Sequence, residues 1–451
     1  MMAEDLPDIV VRNFEFYYRQ LAEGRAGLIA EADLQAISTL PDAEAFGAAL
    51  STTGRAAMSK TILLKLNGGL GTSMGLDKAK SLLIARDRLS FLDIIARQAL
   101  QSSAPLVLMN SFNTRDDSLA ALASYPDLRR FNIPLDFVQH KVPKIVQADL
   151  TPVIWPAAPD LEWCPPGHGD IYTALVTSGM LDALLTAGYG YAFVSNADNL
   201  GAALDPAILG YFVAERLPFL MEATDRTAAD RKGGHLARAT DGRLILRESA
   251  QCPPEDMAAF QDINRHRFFN TNNLWLNLPA LRALLEERQG VLGLPMIRNG
   301  KPVDPCDAAS TPVYQLETAM GAAIGLFEAA GAVRVPRTRF APVKTTDDLL
   351  AIRSDAYVLT DDFRIEPNPL RRLPGPPAVS LDARFYRLID DLEARFPFGP
   401  PSLLDCARLA VQGDVRFGRD VISRGAVEIA NSSAQQAQIA DRAILEGRIG
   451  F

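Results

Sequence analysis

The chain is poor in cysteine, histidine and lysine. Its 451 residues include four cysteines (Cys164, Cys252, Cys306 and Cys406), far apart and with no Cys-x-x-Cys pair. That excludes a disulfide framework and suits a reducing, cytoplasmic setting. Four histidines (His140, His168, His235 and His266), without a HExxH pattern, argue against zinc chemistry. There is no run of about 18 apolar residues, so no membrane-spanning helix is expected. The opening residues, MMAEDLPDIV, have neither the basic nor the apolar region of a signal peptide. A basic surplus is missing too: 46 Lys+Arg against 54 Asp+Glu leaves a net charge of −8, unlike a general nucleic-acid binder.

Only nine of the 46 basic residues are lysines: Lys60, Lys65, Lys78, Lys80, Lys141, Lys144, Lys232, Lys301 and Lys344. Where arginine is the default cation, each lysine is a place to look for a compact point charge. Lys60, Lys65 and Lys301 read as ordinary cations, and Lys141, Lys144 and Lys232 stay open.

What is present is ordinary for a large globular protein: 48% apolar and 22% charged residues, enough for a core without staples. Residues 1–50 carry nine acids and three bases, and Ile9, Val10, Phe14, Tyr17 and Leu21 recur near helical spacing. Residues 1–57 therefore read as an acidic helical segment, with a turn-like boundary at Ser51–Ala57. From Thr61 the pattern alternates: strands at Thr61–Leu66, Leu106–Met109 and Tyr191–Val194, helices at Phe91–Leu100 and Leu175–Leu185. This predicts an α/β layer fold with a mostly parallel sheet over 58–362, and ligands at the carboxyl ends of its strands. Asp241-Gly242 predicts a hairpin, which makes the sheet mixed. A Pro- and Arg-rich stretch, Pro367–Pro377, reads as a linker. Beyond it, Leu403, Leu409, Val415, Val421, Val427, Ser433, Ile439, Leu445 and Phe451 share a six-residue register with one polar exception. A parallel β-helix over 363–451 or a few ordinary strands both fit that register.

Five segments carry chemistry-bearing residues. Leu66-Asn-Gly-Gly-Leu-Gly-Thr-Ser-Met-Gly75 follows a strand, and its glycines let backbone N–H groups approach an anion. It matches neither the Walker loop nor the dinucleotide fingerprint, and a tight turn explains it equally. Pro165-Pro-Gly-His-Gly-Asp170 leads into a helix start, either as an anion site or as a turn with Asp170 as N-cap. Ser195-Asn-Ala-Asp-Asn-Leu-Gly201 ends a strand with Asp198, a candidate for Mg²⁺ shared with phosphates or a plain Asx turn. Phe269-Asn-Thr-Asn-Asn-Leu-Trp275 offers carboxamides suited to sugar hydroxyls. Phe340-Ala-Pro-Val-Lys-Thr-Thr346 places Lys344 before a helical run. No nucleophile–base pair and no paired-carboxylate motif stands out, so the inventory suits neutralising phosphates better than covalent catalysis.

Together the segments LNGGLGTSMG (66–75), LVLMNSFNT (106–114), PPGHGDIY (165–172), FVSNADNLGA (193–202), FNTNNLW (269–275), QLETAMGAA (315–323) and RFAPVKTT (339–346) resemble, in that order, the eukaryotic-type UDP-glucose pyrophosphorylase family. The resemblance implies a Rossmann-like nucleotidyltransferase core with a C-terminal left-handed parallel β-helix. It implies a Mg²⁺-dependent, reversible reaction in which UTP and glucose 1-phosphate give UDP-glucose and pyrophosphate. It places Leu66, Asn67, Gly68, Gly69, Met109, Gln139 and Gly167 at UTP. His168, Asn196, Asn270 and Asn272 fall at the sugar phosphate, Asp198 at the metal, and Lys80 and Lys344 at phosphates as catalytic cations. No nucleic acid or membrane partner is implied, and a β-helix can present edges for self-association. One departure stands out. The family pattern Gly-Pro-Lys-Ser is Lys78-Ala79-Lys80-Ser81 here, which leaves Lys78 as a competitor of Lys80 and removes the proline's stiffening. Two other readings stay open: a relative that uses another sugar 1-phosphate, and a non-catalytic sugar-nucleotide-binding scaffold.

Overall fold

A computed structural model describes residues 1–25 and 27–451. Its centre is a ten-stranded mixed sheet. Four strands run parallel in the order Tyr191–Asn196, Thr61–Asn67, Leu106–Asn110, Asp136–Val138. The Thr61 strand is buried along both faces, Ile62 and Leu64 on one side and Leu63 on the other, as a parallel strand covered on both faces must be. On the far side of Tyr191–Asn196 the sheet turns antiparallel through Phe268–Asn277, which pairs with Phe219–Asp225. The hairpin expected at Asp241-Gly242 joins His235–Ala239 to Leu244–Arg247, with Gly242 at φ +90°. Among the described residues no helix is long and apolar enough to cross a membrane.

Three local expectations need correction. Ser51–Ala57 is not a turn but the end of a helix, Ala48–Ala57. Its Ser, Thr and Gly residues lower helix propensity, yet tertiary packing wins. A Cβ on Gly54 would lie 1.7 Å from the Pro206 carbonyl, and one on Gly210 would lie 1.8 Å from that of Leu50. Glycine here is what two crossing helices require. The N-terminal segment is also not wholly helical, since Leu34–Ala36 forms an edge strand on His235–Ala239. The single helix expected at Leu175–Leu185 is two, Ile171–Thr177 and Met180–Thr186, broken by Gly179 at φ +73°.

The C-terminal part is all-parallel in its sheets. Ala378–Leu381, Cys406–Gln412, Ile422–Ala430 and Ile444–Gly450 stack side by side, and Val415–Arg416 pairs with Ala437–Gln438. Successive passes put apolar residue on apolar residue, Leu409 against Val427 and Ile429 against Ile449. Of the six-residue register, Leu403, Leu409, Val415, Val421, Val427, Ile439 and Leu445 are buried, while Ser433 and Phe451 are exposed. These side chains continue the core that lies under Phe91, Leu106 and Phe193. A hairpin, Tyr357–Leu359 with Ile365–Pro367, spans the change from one part to the other.

Candidate active site

All four parallel strands end on one cavity. Thr61–Asn67 delivers Leu66 and Asn67 with the following Gly68 and Gly69, Leu106–Asn110 delivers Met109, Asp136–Val138 leads to Gln139, and Tyr191–Asn196 leads to Asn196 and Asp198. Gly167, His168 and Lys80 complete the wall of a cavity of about 290 Å³. Eleven of the fourteen residues expected in the site thus meet in one place, at the carboxyl ends where an open α/β sheet binds ligands.

Two glycines sit at close approaches, one against a side chain and one against backbone. A Cβ on Gly68 would sit 2.7 Å from Gln139 Nε2, so this backbone lies directly against the Gln139 amide. Gly167 adopts φ +79°, and its Cβ would meet the Thr318 carbonyl at 2.5 Å. Asn67 turns its side chain inward, donating to Asn110 Oδ1 at 2.7 Å and Ser118 Oγ at 2.8 Å, so its main chain is what it offers a ligand.

His168 is neutral. The Met320 N–H donates to its Nδ1 at 3.0 Å, and burial pushes its pKa down to about 4. The ring proton therefore sits on Nε2, making His168 a hydrogen-bond donor without charge.

Lys80 Nζ lies 2.8 Å from Asp198 Oδ2, with both side chains largely buried. Asp198 Oδ1 is buried and has no partner. A single carboxylate with one uncommitted oxygen fits the way Mg²⁺ is usually held, through one or two carboxylates plus substrate phosphates. Lys78 is exposed, whereas Lys80 lines the cavity beside Asp198. Ala79 has φ −54°, close to what the family's proline would impose, and the turn forms without it.

Three expected residues lie outside this cavity. Asn270 and Asn272 sit on Phe268–Asn277 beside a register shift, bonded to one another, Asn270 Nδ2 to Asn272 Oδ1 at 2.8 Å. Asn272 adopts φ +58°, a conformation that asparagine tolerates better than most residues. Lys344 is exposed on the wall of a second, wider cleft of about 650 Å³. Its segment is nevertheless tied to the first cavity, because the Val343 N–H donates to the Asp198 carbonyl at 3.1 Å.

Some contributors were not legible in the sequence. Asp170 makes no helix cap; its carboxylate accepts from the His140 main-chain N–H at 2.7 Å and meets His140 Nδ1 at 2.9 Å, fixing the residue next to Gln139. Glu248 is held by burial above the usual carboxylate range, with Lys344 acting the other way, and a Cβ on Gly234 would lie 2.5 Å from its Oε2. The Gly233-Gly234 pair was the only signal. Lys65 is no ordinary cation: it is fully buried, donates to Ser195 Oγ at 2.7 Å and the Ala202 carbonyl at 2.8 Å, and burial lowers its pKa to about 7. Lys144 is likewise buried and donates to the Val303 carbonyl at 2.9 Å.

Comparison with known proteins agrees with this geometry. Residues 11–424 match the family model described as UTP–glucose-1-phosphate uridylyltransferase. The enzyme of that name from Solanum tuberosum is 42% identical over 402 residues, covering 87% of this chain and 81% of its own. That from Saccharomyces cerevisiae is 40% identical over 402 residues, covering 86% and 77%. A variant UDP-glucose pyrophosphorylase of Leishmania major, solved in complex with UDP-glucose, superposes with a TM-score of 0.93 at 44% identity, covering 100% of this chain and 97% of that one. A Trypanosoma brucei structure described as UDP-glucose phosphorylase gives 0.91 at 45% identity, covering 100% and 98%. With its strand ends, glycine loop and nearly full-length similarity in agreement, this chain belongs to the UTP–glucose-1-phosphate uridylyltransferase family.

Proposed function

We propose that the chain transfers a uridylyl group from UTP to glucose 1-phosphate, giving UDP-glucose and pyrophosphate reversibly with Mg²⁺. The observation that carries this reading is the Lys80–Asp198 pair, set in one cavity with the Gly68–Gly69 backbone, Gln139 and neutral His168. Met109, Gln139 and Gly167 suit the uracil end, where an apolar side chain and one amide meet a base edge. His168 and Asn196 donate toward the sugar phosphate, and Asn270 and Asn272 supply carboxamides for the sugar hydroxyls.

A glucose 1-phosphate oxygen attacks the α-phosphorus of UTP in line. One P–O bond forms as the bond to the bridging oxygen breaks, and pyrophosphate leaves with that electron pair. Little covalent work falls to the protein, so positioning and charge neutralisation supply the rate. Lys80 offsets negative charge on the phosphates, and Lys344 does so from the neighbouring cleft, its segment joined to the cavity by the Val343 N–H on the Asp198 carbonyl. Asp198 Oδ1 is the atom that would hold Mg²⁺, which when bound neutralises phosphate oxygens.

We also read the C-terminal part, 363–451, as a left-handed parallel β-helix attached to a catalytic part, 58–362. The stacked parallel strands and the buried six-residue register support this. Its last strand, Ile444–Gly450, leaves an edge through which copies of the chain could associate. The separated free cysteines, three of them buried, support a cytoplasmic setting.

The test is a panel of sugar 1-phosphates with UTP, followed by pyrophosphate release with and without Mg²⁺. Glucose 1-phosphate should give the highest kcat/KM, and EDTA should abolish turnover. A preference for an N-acetylhexosamine 1-phosphate would redirect the substrate. Binding of UDP-glucose without turnover of any sugar would favour the scaffold reading.

A further inference from the structure

Asp198 and Lys344 reach the active region on different parts of the chain, yet one side chain sews those parts together. Asn199, buried to 1% exposure, follows Asp198 directly. Its Oδ1 accepts from the Ala341 N–H at 3.0 Å. Its Nδ2 donates to the Arg339 carbonyl at 3.1 Å and to Asn273 Oδ1 at 3.3 Å. Every hydrogen-bonding group of its carboxamide is thus spent on the segment that runs to Lys344 or on the strand beneath it. Asn199 and Pro342 form an antiparallel bridge, and the Val343 N–H completes the junction on the Asp198 carbonyl.

The far end of the junction is anchored in the core. Arg339 donates through Nε at 2.8 Å and Nη2 at 2.6 Å to Glu222, which is fully buried. Glu222 also accepts from Asn273 Nδ2 and Trp275 Nε1, both at 3.0 Å. A buried ion pair is a poor source of net stability, but one whose members are all hydrogen-bonded fixes a unique arrangement. None of Asn199, Glu222, Asn273, Trp275 and Arg339 lines the 290 Å³ cavity, so ligand binding alone does not account for the network.

We propose that Asn199 is a positioning residue, holding the 339–344 segment in register with the Asp198 loop so that the Asp198 carboxylate and the Lys344 ammonium act on one phosphate chain. The proposal rests on the uridylyl transfer proposed above. It assigns Asn199 no contact with substrate. Its effect passes through Lys344, so the two residues must be coupled in catalysis and not only in stability.

The test is a cycle of Asn199→Ala, Lys344→Ala and the double variant in the forward reaction, with hydrogen exchange on each protein. Asn199→Ala should lower kcat about 10- to 100-fold, as misplacement by about an ångström does. KM for UTP should move less than about threefold, because the uracil end is held elsewhere. Lys344→Ala should cost far less in the Asn199→Ala background than in the wild type, since a misplaced lysine has little left to lose. Exchange should speed up across 339–344 and stay unchanged on the Thr61–Asn67 strand. Independent, multiplying effects, or an Asn199→Ala enzyme with wild-type kcat, would overturn the proposal while leaving the function intact. A wild type that releases no pyrophosphate would overturn the function, and this proposal with it. Should Asn199→Ala not fold, Asn199→Ser, whose hydroxyl can still accept from the Ala341 N–H, runs the same cycle with the same criteria.

Discussion

Lys80 holds one oxygen of Asp198 at 2.8 Å and leaves the other oxygen buried without a partner. The lysine belongs to the loop after the glycine run and the aspartate to the end of a parallel strand, 118 residues away. A cation and a half-used carboxylate side by side form a pair that a phosphate and a divalent ion can share.

From this pair comes a ranking of two neighbouring lysines. Lys80→Ala should lower kcat by about 10²–10³, the usual cost of losing one preorganised charge at a developing oxyanion. Lys78→Ala, removing an exposed side chain, should stay within about threefold of wild type. Steady-state rates with saturating UTP and glucose 1-phosphate measure both, and the reverse ranking would move the catalytic role to Lys78.

Gly68 tests the nucleotide end. A methyl group there would press on Gln139 Nε2 from 2.7 Å, so Gly68→Ala must displace the Gln139 amide. KM for UTP should rise about tenfold, with KM for glucose 1-phosphate changed much less. Titration calorimetry with UTP alone checks the same point. Unchanged UTP affinity would take Gln139 out of the nucleotide site.

Acid stability should follow the buried histidines. His235 stacks on His266 with ring centroids 3.8 Å apart, next to Phe260. Burial lowers the His235 pKa to about 2, with His266 adding to the shift, and burial lowers that of His266 as well. In the unfolded chain histidine protonates near an ordinary pKa of about 6.5. Below that pH the unfolded state binds more protons than the folded one, so stability falls as pH drops toward the folded-state values. The slope is about 1.4 kcal/mol per pH unit for each histidine kept neutral. Urea unfolding between pH 7 and pH 4.5 should show this decline. His235→Phe, which keeps an aromatic ring beside Phe260, should make it shallower. A decline equally steep in that variant would assign acid lability to other groups.

Much of this molecule could be read from its sequence because the informative segments are strand ends. Thr61–Leu66, Leu106–Met109 and Tyr191–Val194 are largely apolar runs, as strands covered on both faces must be, with Lys65 the charged exception, and each ends at or just before a residue of the cavity, Asn67, Met109 and Asn196. Most of the six-residue register was legible for a similar reason: stacked parallel passes bury seven of its nine positions, Ser433 and Phe451 being exposed. What was illegible depends on contacts distant in sequence. Nothing near Gly54 says that Gly210 will cross it, so the helix there looked like a turn. Nothing near Lys65 says that Ser195 and Ala202 will receive its ammonium, so it looked like a surface cation. Asp170 was expected as a cap because that is the local use of an aspartate at a helix start, whereas His140 claims its carboxylate. Asn199 stands beside Asp198 in the sequence, yet its partners are more than 70 residues away.

Direct passage of the uridylyl group from UTP to the sugar phosphate at the Lys80–Asp198 pair can be followed with a label. UTP labelled at its α-phosphate, incubated with glucose 1-phosphate and Mg²⁺, tests it most directly. The label should appear in UDP-glucose in step with pyrophosphate release, none should be retained on denatured protein, and Asp198→Asn should nearly abolish transfer. Label trapped on the protein, label released as UMP without UDP-glucose, or full transfer by Asp198→Asn would contradict it.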